Sequence, residues 1–448
     1  MITPQMIKQR FQSAVRKVTA HIQDFSVHPG KDFSRIRKLP PDSLIRFLVA
    51  EGASSTRVEL LDFFGFDPDA PTSSALRQQR AKLRPEAIKE VLDTFNASLI
   101  GMDQPLRRAA PGYRCLAVDG SSASFYSTPQ FSPDSYFVSQ GHSAKGFYSV
   151  HVNALFDIDT HLYMDALLQP VHEKDEFRAF CIMVDRIPLI PGIRDIYIGD
   201  RGYCSYNDMA HVIEKGQYFL FRSKDVLSKG ILKNLGLPTD GAFDRTVTIT
   251  LKRRQSKKIP IPPGSQPRFI GADISFDYVQ YGSDDTYTMT FRVVRIQLPS
   301  GAYECLVTNL PLEEFPPERL AELYFSRWKI ACAYRDLKYT IGMTSFHSCK
   351  AMHVEQEVYA RLLLYNITEA LVQSTVLEAR NTKHEYQVNF TRAAHICRVF
   401  LRSPSEEDRI DIAALLRREL VPIRRNRKYS RLQTAHFRKP KYFIYRAA

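Results

Sequence analysis

Between residues 111 and 224 the spacing of apolar residues changes from helical to strand-like, and the order of the resulting segments constrains the fold more than any other feature. YRCLAV, GFYSVHVNALFDI and HLYMDALLQP read as three successive strands, the last two joined at Asp159-Thr160. EKDEFRAFCIMVDRI then reads as a helix with acids in its first turn, where they meet the positive end of the helix dipole. DIYIGD is a short buried strand, SYNDMAHVIEKG a helix and QYFLFRSK a further strand. The order β-β-β-α-β-α-β predicts a mixed α/β core in which acids at the ends of neighbouring central strands converge.

The flanks differ. Residues 1–105 read as helical: Pro40-Pro41-Asp42-Ser43 precedes LIRFLVA, Ser54-Ser55-Thr56 precedes RVELLDFF, and a Pro-rich turn at 66–71 precedes TSSALRQQRAKL. In that last segment Ala75, Leu76, Gln79 and Leu83 are expected inward and Arg77, Gln78, Arg80 and Arg84 outward. The arrangement is similar to a helix-turn-helix, and Arg and Gln suit bidentate reading of guanine and adenine edges, although a solvated basic face on a structural helix gives the same pattern. Residues 106–224 form the first part of the core. A β-rich insertion follows over 225–312, with TVTITL, TYTMTFRVVRIQL and YECLVTNL alternating around a basic, Pro-rich stretch. Helical periodicity returns over 313–350, and 351–448 is expected to be helical and basic, its tail interleaving Arg and Lys with Tyr and Phe from Arg424 onward.

A chain of 448 residues with 44% hydrophobic and 25% charged residues is long enough for a sizeable core. Its net charge of +14 favours a polyanionic partner. No stretch approaches the roughly 18 uncharged apolar residues of a spanning helix, so a membrane is not expected as partner. Seven scattered cysteines without a C-x2-C pair argue against a disulfide framework or a zinc site. Any metal would be held by carboxylates, which suit hard cations such as Mg²⁺ or Mn²⁺.

Two carboxylates stand out. Asp119 closes the first strand in LAVDGSS, where the following Gly permits close backbone approach, and Asp200 closes the later strand in YIGDRGY. Either alone reads most simply as a turn residue. Together they precede the helical stretch YFSRWKIACAYRDLK, in which Tyr324, Arg327, Ala331 and Lys338 fall on one side. That face resembles the Y-x2-R-x3-E-x6-K signature of the DDE transposases of the insertion-sequence-4 family, with Ala331 where the family has Glu. DGS at the first acid, GDRGY at the second and the β-rich insertion extend the resemblance over about 111 to 350.

The resemblance implies an RNase H-like catalytic core and, for Asp119 and Asp200, the role of metal ligands, with Ala331 at the position of the third. It implies two divalent cations, Mg²⁺ or Mn²⁺, spaced about 3.5–4 Å apart for phosphoryl transfer on DNA. Tyr324, Arg327 and Lys338 would contact phosphates or an extruded base. Trp328 stacks on a base or faces the core. Double-stranded DNA, both transposon ends and target, would be the partner of a homodimer in a synaptic complex in the bacterial cytoplasm. Glu322 and Asp336 lie off the Tyr324–Lys338 face and do not replace the missing Glu. The methyl group at Ala331 therefore implies a chain that binds DNA without cutting it, either through deliberate replacement or through natural decay; the otherwise intact signature favours replacement. A DNA-binding protein without catalysis and an RNase H-fold nuclease are the alternatives.

Overall fold

The computed structural model describes residues 2–35, 37–100, 109–140, 143–256, 258–375, 385–402 and 410–423. The basic tail from Arg424 lies outside the described residues. Five helices open the chain: α1 (Pro4–Ala20), α2 (Pro41–Ala50), α3 (Thr56–Phe63), α4 (Ser73–Arg80) and α5 (Glu86–Leu99). The hydroxyl of Thr72 caps α4 by accepting from the Ala75 N–H at 3.2 Å, satisfying a donor the first turn leaves without an intrahelical partner.

The core follows as β1 (Tyr113–Phe125), β2 (Phe137–Gln140), β3 (Ser143–Asp157), β4 (Leu162–Pro170), α6 (Glu176–Arg186), β5 (Arg194–Gly199), α7 (Tyr206–Glu214) and β6 (Tyr218–Ser223). The insertion supplies β7 (Phe243–Lys252), β8 (Gln266–Phe269), β9 (Thr286–Gln297) and β10 (Tyr303–Thr308). After it come α8 (Pro317–Ser326), α9 (Trp328–Asp336), α10 (Ala351–Gln373), β11 (Tyr386–Val388), α11 (Phe390–Arg402), α12 (Ile412–Arg418) and β12 (Leu420–Pro422).

β3 pairs antiparallel with both β1 and β4, whereas β1–β5 and β5–β6 are parallel. That arrangement, β4-β3-β1-β5-β6, is the RNase H-like order, and the fold is mixed α/β as the sequence implied. The short edge strand β2 was not anticipated. The insertion also differs from expectation: β10 pairs antiparallel with β6, so β10-β9-β7-β8 continue the core sheet to ten strands.

Period-two alternation on β1 builds a core on each side of the sheet. Cys115 and Ala117 pack with α1, α2, α5, α8–α11; Leu116 and Val118 pack with α6, α7 and the inner face of the insertion. Burying a side chain of leucine size contributes about 1.5–3 kcal/mol, so this alternation fixes the register of the strand. The opening helices and α10 are joined by polar bonds as well: Asn366 Nδ2 donates to Asn96 Oδ1 at 2.8 Å, and Arg80 on α4 pairs with Glu357 on α10 at 2.8 Å. Among the described residues no helix is long and apolar enough to cross a membrane.

Candidate active site

The parallel pairing of β1 with β5 ends at Ala117 and Ile198. Asp119 lies two residues beyond that point and Asp200 follows β5 directly, so the two carboxylates flank the place where the strands part. β1 itself runs on to Phe125 against β3, so Asp119 sits within a strand and not at its end, as the sequence had suggested. Both aspartates are half-buried. The Gly120 N–H donates to Asp119 Oδ1 at 2.9 Å, and the Gly202 N–H donates to Asp200 Oδ1 at 2.8 Å, which starts the single turn that carries Tyr203. Burial raises the Asp119 carboxyl above the usual carboxylate range; the Gly120 N–H and Arg327 pull it back, and Asp200 and Glu176 push it up again.

Helix α9 packs on β1 beside Asp119, and α8, which leads into it, packs on β6 and β9. The helix tightens at Arg327, where Arg327 N–H bonds to Tyr324 O and Ile330 N–H to Arg327 O, each three residues back. Beyond Asp336 it widens into a π turn, Leu337–Ile341, ended by Gly342 at φ 97°. The Tyr334 hydroxyl lies 3.0 Å from Asp119 O and 3.1 Å from Val152 O, which ties α9 to the backbone of β1 and β3. Arg327 is 6% exposed, and its guanidinium lowers the Asp119 carboxyl. Ala331 lies four residues after Arg327, which acts electrostatically on Asp119, and three before Tyr334, which bonds its backbone, so its methyl group sits between the two. Tyr324 is buried, with the Arg327 guanidinium 5.7 Å from its ring centre. Lys338 is half-buried at the start of the π turn. Trp328 is 55% exposed and lines a cavity of ≈ 600 Å³ on the outer side of α9, together with Glu322 and Asp336. Those two acids therefore turn away from the aspartates.

Of the residues expected to read DNA on α4, Arg77 and Gln78 are exposed. Arg80 is not: it is 3% exposed, bonds Gln356 Oε1 at 2.8 Å and pairs with Glu357. Its donors are committed to α10, because an unpaired guanidinium in that position would cost several kcal/mol, on the order of the penalty for a buried lone charge.

Four side chains at the site were not singled out from sequence. Glu176 opens α6 behind the N-cap Asp175, whose side chain accepts from Arg178 N–H at 2.9 Å. Glu176 Oε1 lies 3.1 Å from His151 Nε2 and 2.9 Å from Lys174 Nζ. The hydrogen bond to His151 holds its carboxyl down to about 2, against burial and with help from Lys174. Tyr203, His151 and Tyr334 are buried around it. The only sequence signal was the placement of Glu176 in a first turn, which is common on any helix.

Among the described residues the one group of three whose ligand atoms all lie within 4.8 Å of one another is elsewhere, Glu51, His347 and Glu357, all buried; the carboxylates around Asp119 are more widely spaced. Arg80 and Arg361 act on the same carboxylates, so the group is already neutralised and a divalent cation would meet net repulsion. The aspartate site carries more acid than base, offers hard oxygen donors and stays open to solvent, which fits Mg²⁺ or Mn²⁺.

A transposase from the insertion sequence element IS231E of Bacillus thuringiensis subsp. finitimus is 21% identical over 243 residues, covering 48% of each chain, so the match spans about half of that relative. A piggyBac transposase, solved by cryo-electron microscopy as a synaptic complex with hairpin DNA, aligns over 90% of this chain and 80% of its own at 10% identity with a TM-score of 0.44. The family described as Transposase DDE domain matches residues 110–367, which contain β1, β5, both aspartates and the α8–α9 face, and the chain belongs to that family.

Proposed function

We propose that this chain is the transposase of a bacterial insertion sequence, which binds the inverted-repeat ends of its element in double-stranded DNA as a homodimer, nicks them and joins the free 3′ ends to target DNA. The observation that carries the reading is that Asp119 and Asp200 flank the point where β1 and β5 part, with Arg327 near enough to lower the Asp119 carboxyl. Asp119 and Asp200 would hold two divalent cations, Mg²⁺ or Mn²⁺, and such cations supply Lewis acidity that activates the attacking oxygen and stabilises the leaving one. Arg327 places a fixed positive charge beside Asp119, suited to a scissile phosphate, and its buried guanidinium is preorganised for it. Tyr334 keeps α9 in register with Asp119, so the phosphate is oriented and not merely attracted. Tyr324 supports the Arg327 guanidinium, Lys338 adds charge toward the DNA backbone, and Arg77 and Gln78 present donors to base edges. The work takes place in the bacterial cytoplasm, where the nucleoid lies.

Ala331 favours a second reading, a protein that binds element ends without cutting them. Incubating labelled end duplexes and a plasmid with the full chain and Mg²⁺ or Mn²⁺ separates the readings. Nicking at the element end followed by joining supports the transposase, and Asp119→Asn is expected to lower the rate by about a thousandfold or more. Binding without nicking in either metal overturns the catalytic reading, and nicking without joining makes the protein a nuclease.

A further inference from the structure

We propose that Glu176 supplies the third carboxylate of the site, doing from α6 what the residue at Ala331 does not do from α9. The proposal rests on the reading of Asp119 and Asp200 as metal ligands, and it makes the chain catalytically complete as it stands.

The geometry is specific. A Cβ on Gly120 would lie 2.5 Å from Glu176 Oε1 and 2.7 Å from His151 Nε2, so the residue after Asp119 is glycine where the Glu176 carboxylate and His151 pass over the strand. A Cβ on Gly202 would lie 3.1 Å from Asp200 Oδ1 and 3.8 Å from Glu176 Oε2, so these two oxygens flank one backbone position. The two contacts that hold Glu176 both fall on Oε1, which turns Oε2 toward Asp200. A carboxylate steered through one oxygen by a buried imidazole is how ligating carboxylates are commonly oriented.

A second, independent observation points to a bound group. Tyr203 is 2% exposed, its hydroxyl has no hydrogen-bond partner among the described residues, and the carboxylates acting on it are Glu176, Asp119 and Asp200. A buried phenol without a partner is costly, and this one lies within the electrostatic reach of all three carboxylates. A hydrated cation among those carboxylates provides the partner it lacks. No acid on α8 or α9 competes for the role, since Glu318 is exposed in the first turn of α8, nine residues before Arg327, and Glu322 and Asp336 line the cavity on the outer side.

Titration of the full-length protein with Mn²⁺, followed by electron paramagnetic resonance of the free ion, tests this without relying on DNA cleavage. Glu176→Gln should weaken Mn²⁺ binding at least tenfold, Glu173→Gln, an exposed neighbour, should leave it unchanged, and adding Ala331→Glu to Glu176→Gln should restore it. Restoration also shows that the loss was not misfolding. Glu176→Asp, which keeps the charge and the helix start, should give a loss of the same sign. If Asp119→Asn abolishes binding while Glu176→Gln and Glu176→Asp leave it intact, the Glu176 proposal is overturned and the aspartate reading stands. If the parent binds no Mn²⁺, or Asp119→Asn has no effect, the aspartate reading falls and Glu176 falls with it.

Discussion

Asp119, Asp200 and Glu176 stand half-exposed around a buried phenol, whereas Glu51, Glu357 and His347 are sealed between α2, α4 and α10 with Arg80 and Arg361 against them. The second group has the tighter spacing, its ligand atoms all within 4.8 Å of one another. Spacing alone would therefore favour the sealed group over the site proposed here. Charge balance decides between them: Glu357 is held well below the usual carboxylate range by Arg80 and His347 despite its burial, and His347 is raised by Glu51 and Glu357 despite its own. Such a network ties helices together. The open cluster is only partly offset, with Arg327 acting on Asp119 and Lys174 and His151 on Glu176, and it stands open to solvent.

The contrast can be broken most severely at Glu357. Glu357→Gln leaves Arg80 buried beside a neutral partner and should destabilise the fold by about 3–5 kcal/mol, with Mn²⁺ binding unchanged in the protein that remains folded. Urea unfolding gives the first number and spectroscopic titration the second; a metal-binding loss in this variant would transfer the site to the sealed group.

Glu369, three turns further along α10, sharpens the point because it is buried with no cation to offset it, and burial together with Asp336 raises its carboxyl to about 8. Its folded-state value lies above its unfolded one. Whatever the protonated form contributes is thus present at low pH and is lost as pH rises from the ordinary carboxylate range through about 8. Glu369→Gln should have little effect on stability near pH 4 and should stabilise the protein relative to the parent by on the order of a few kcal/mol at pH 8. Thermal melts at the two pH values check this, and a gain independent of pH would show that Glu369 is ionised in the fold.

The smallest expected effect concerns Arg77 and Arg80, three residues apart on α4 and opposite in fate. Arg77→Ala should cost about 1–3 kcal/mol in binding to element ends and relax preference at one base pair, with the melting temperature unchanged. Fluorescence anisotropy on end and random duplexes measures the difference; equal binding to both by parent and variant would remove α4 from recognition.

Much of the core was legible in the chain because strand alternation and helix caps are local. The three successive strands, α6, α7 and the two aspartates all follow from residues within a few positions of each other. What was not legible depended on distant partners. A helical projection placed Arg80 outward, because nothing near it in sequence announces Glu357 on α10. Glu176 read as an ordinary first-turn acid, since its approach to Gly120 and Gly202 exists only after α6 has packed across the sheet. The helical character of 324–336 was legible, but its regular spacing hid the tightening at Arg327 and the π turn after Asp336.

The bonding of β10 to β6 has a mechanical consequence. A module attached by two flexible crossings could swing over bound DNA as a lid; this one cannot, because moving it would tear the ladder between Leu220–Ser223 and Cys305–Thr308. β6 in turn is paired to β5, which ends at Gly199, one residue before Asp200. Force applied to the outer strands is thereby delivered to the carboxylate, and the ten strands behave as a ruler whose one end sets the position of the other.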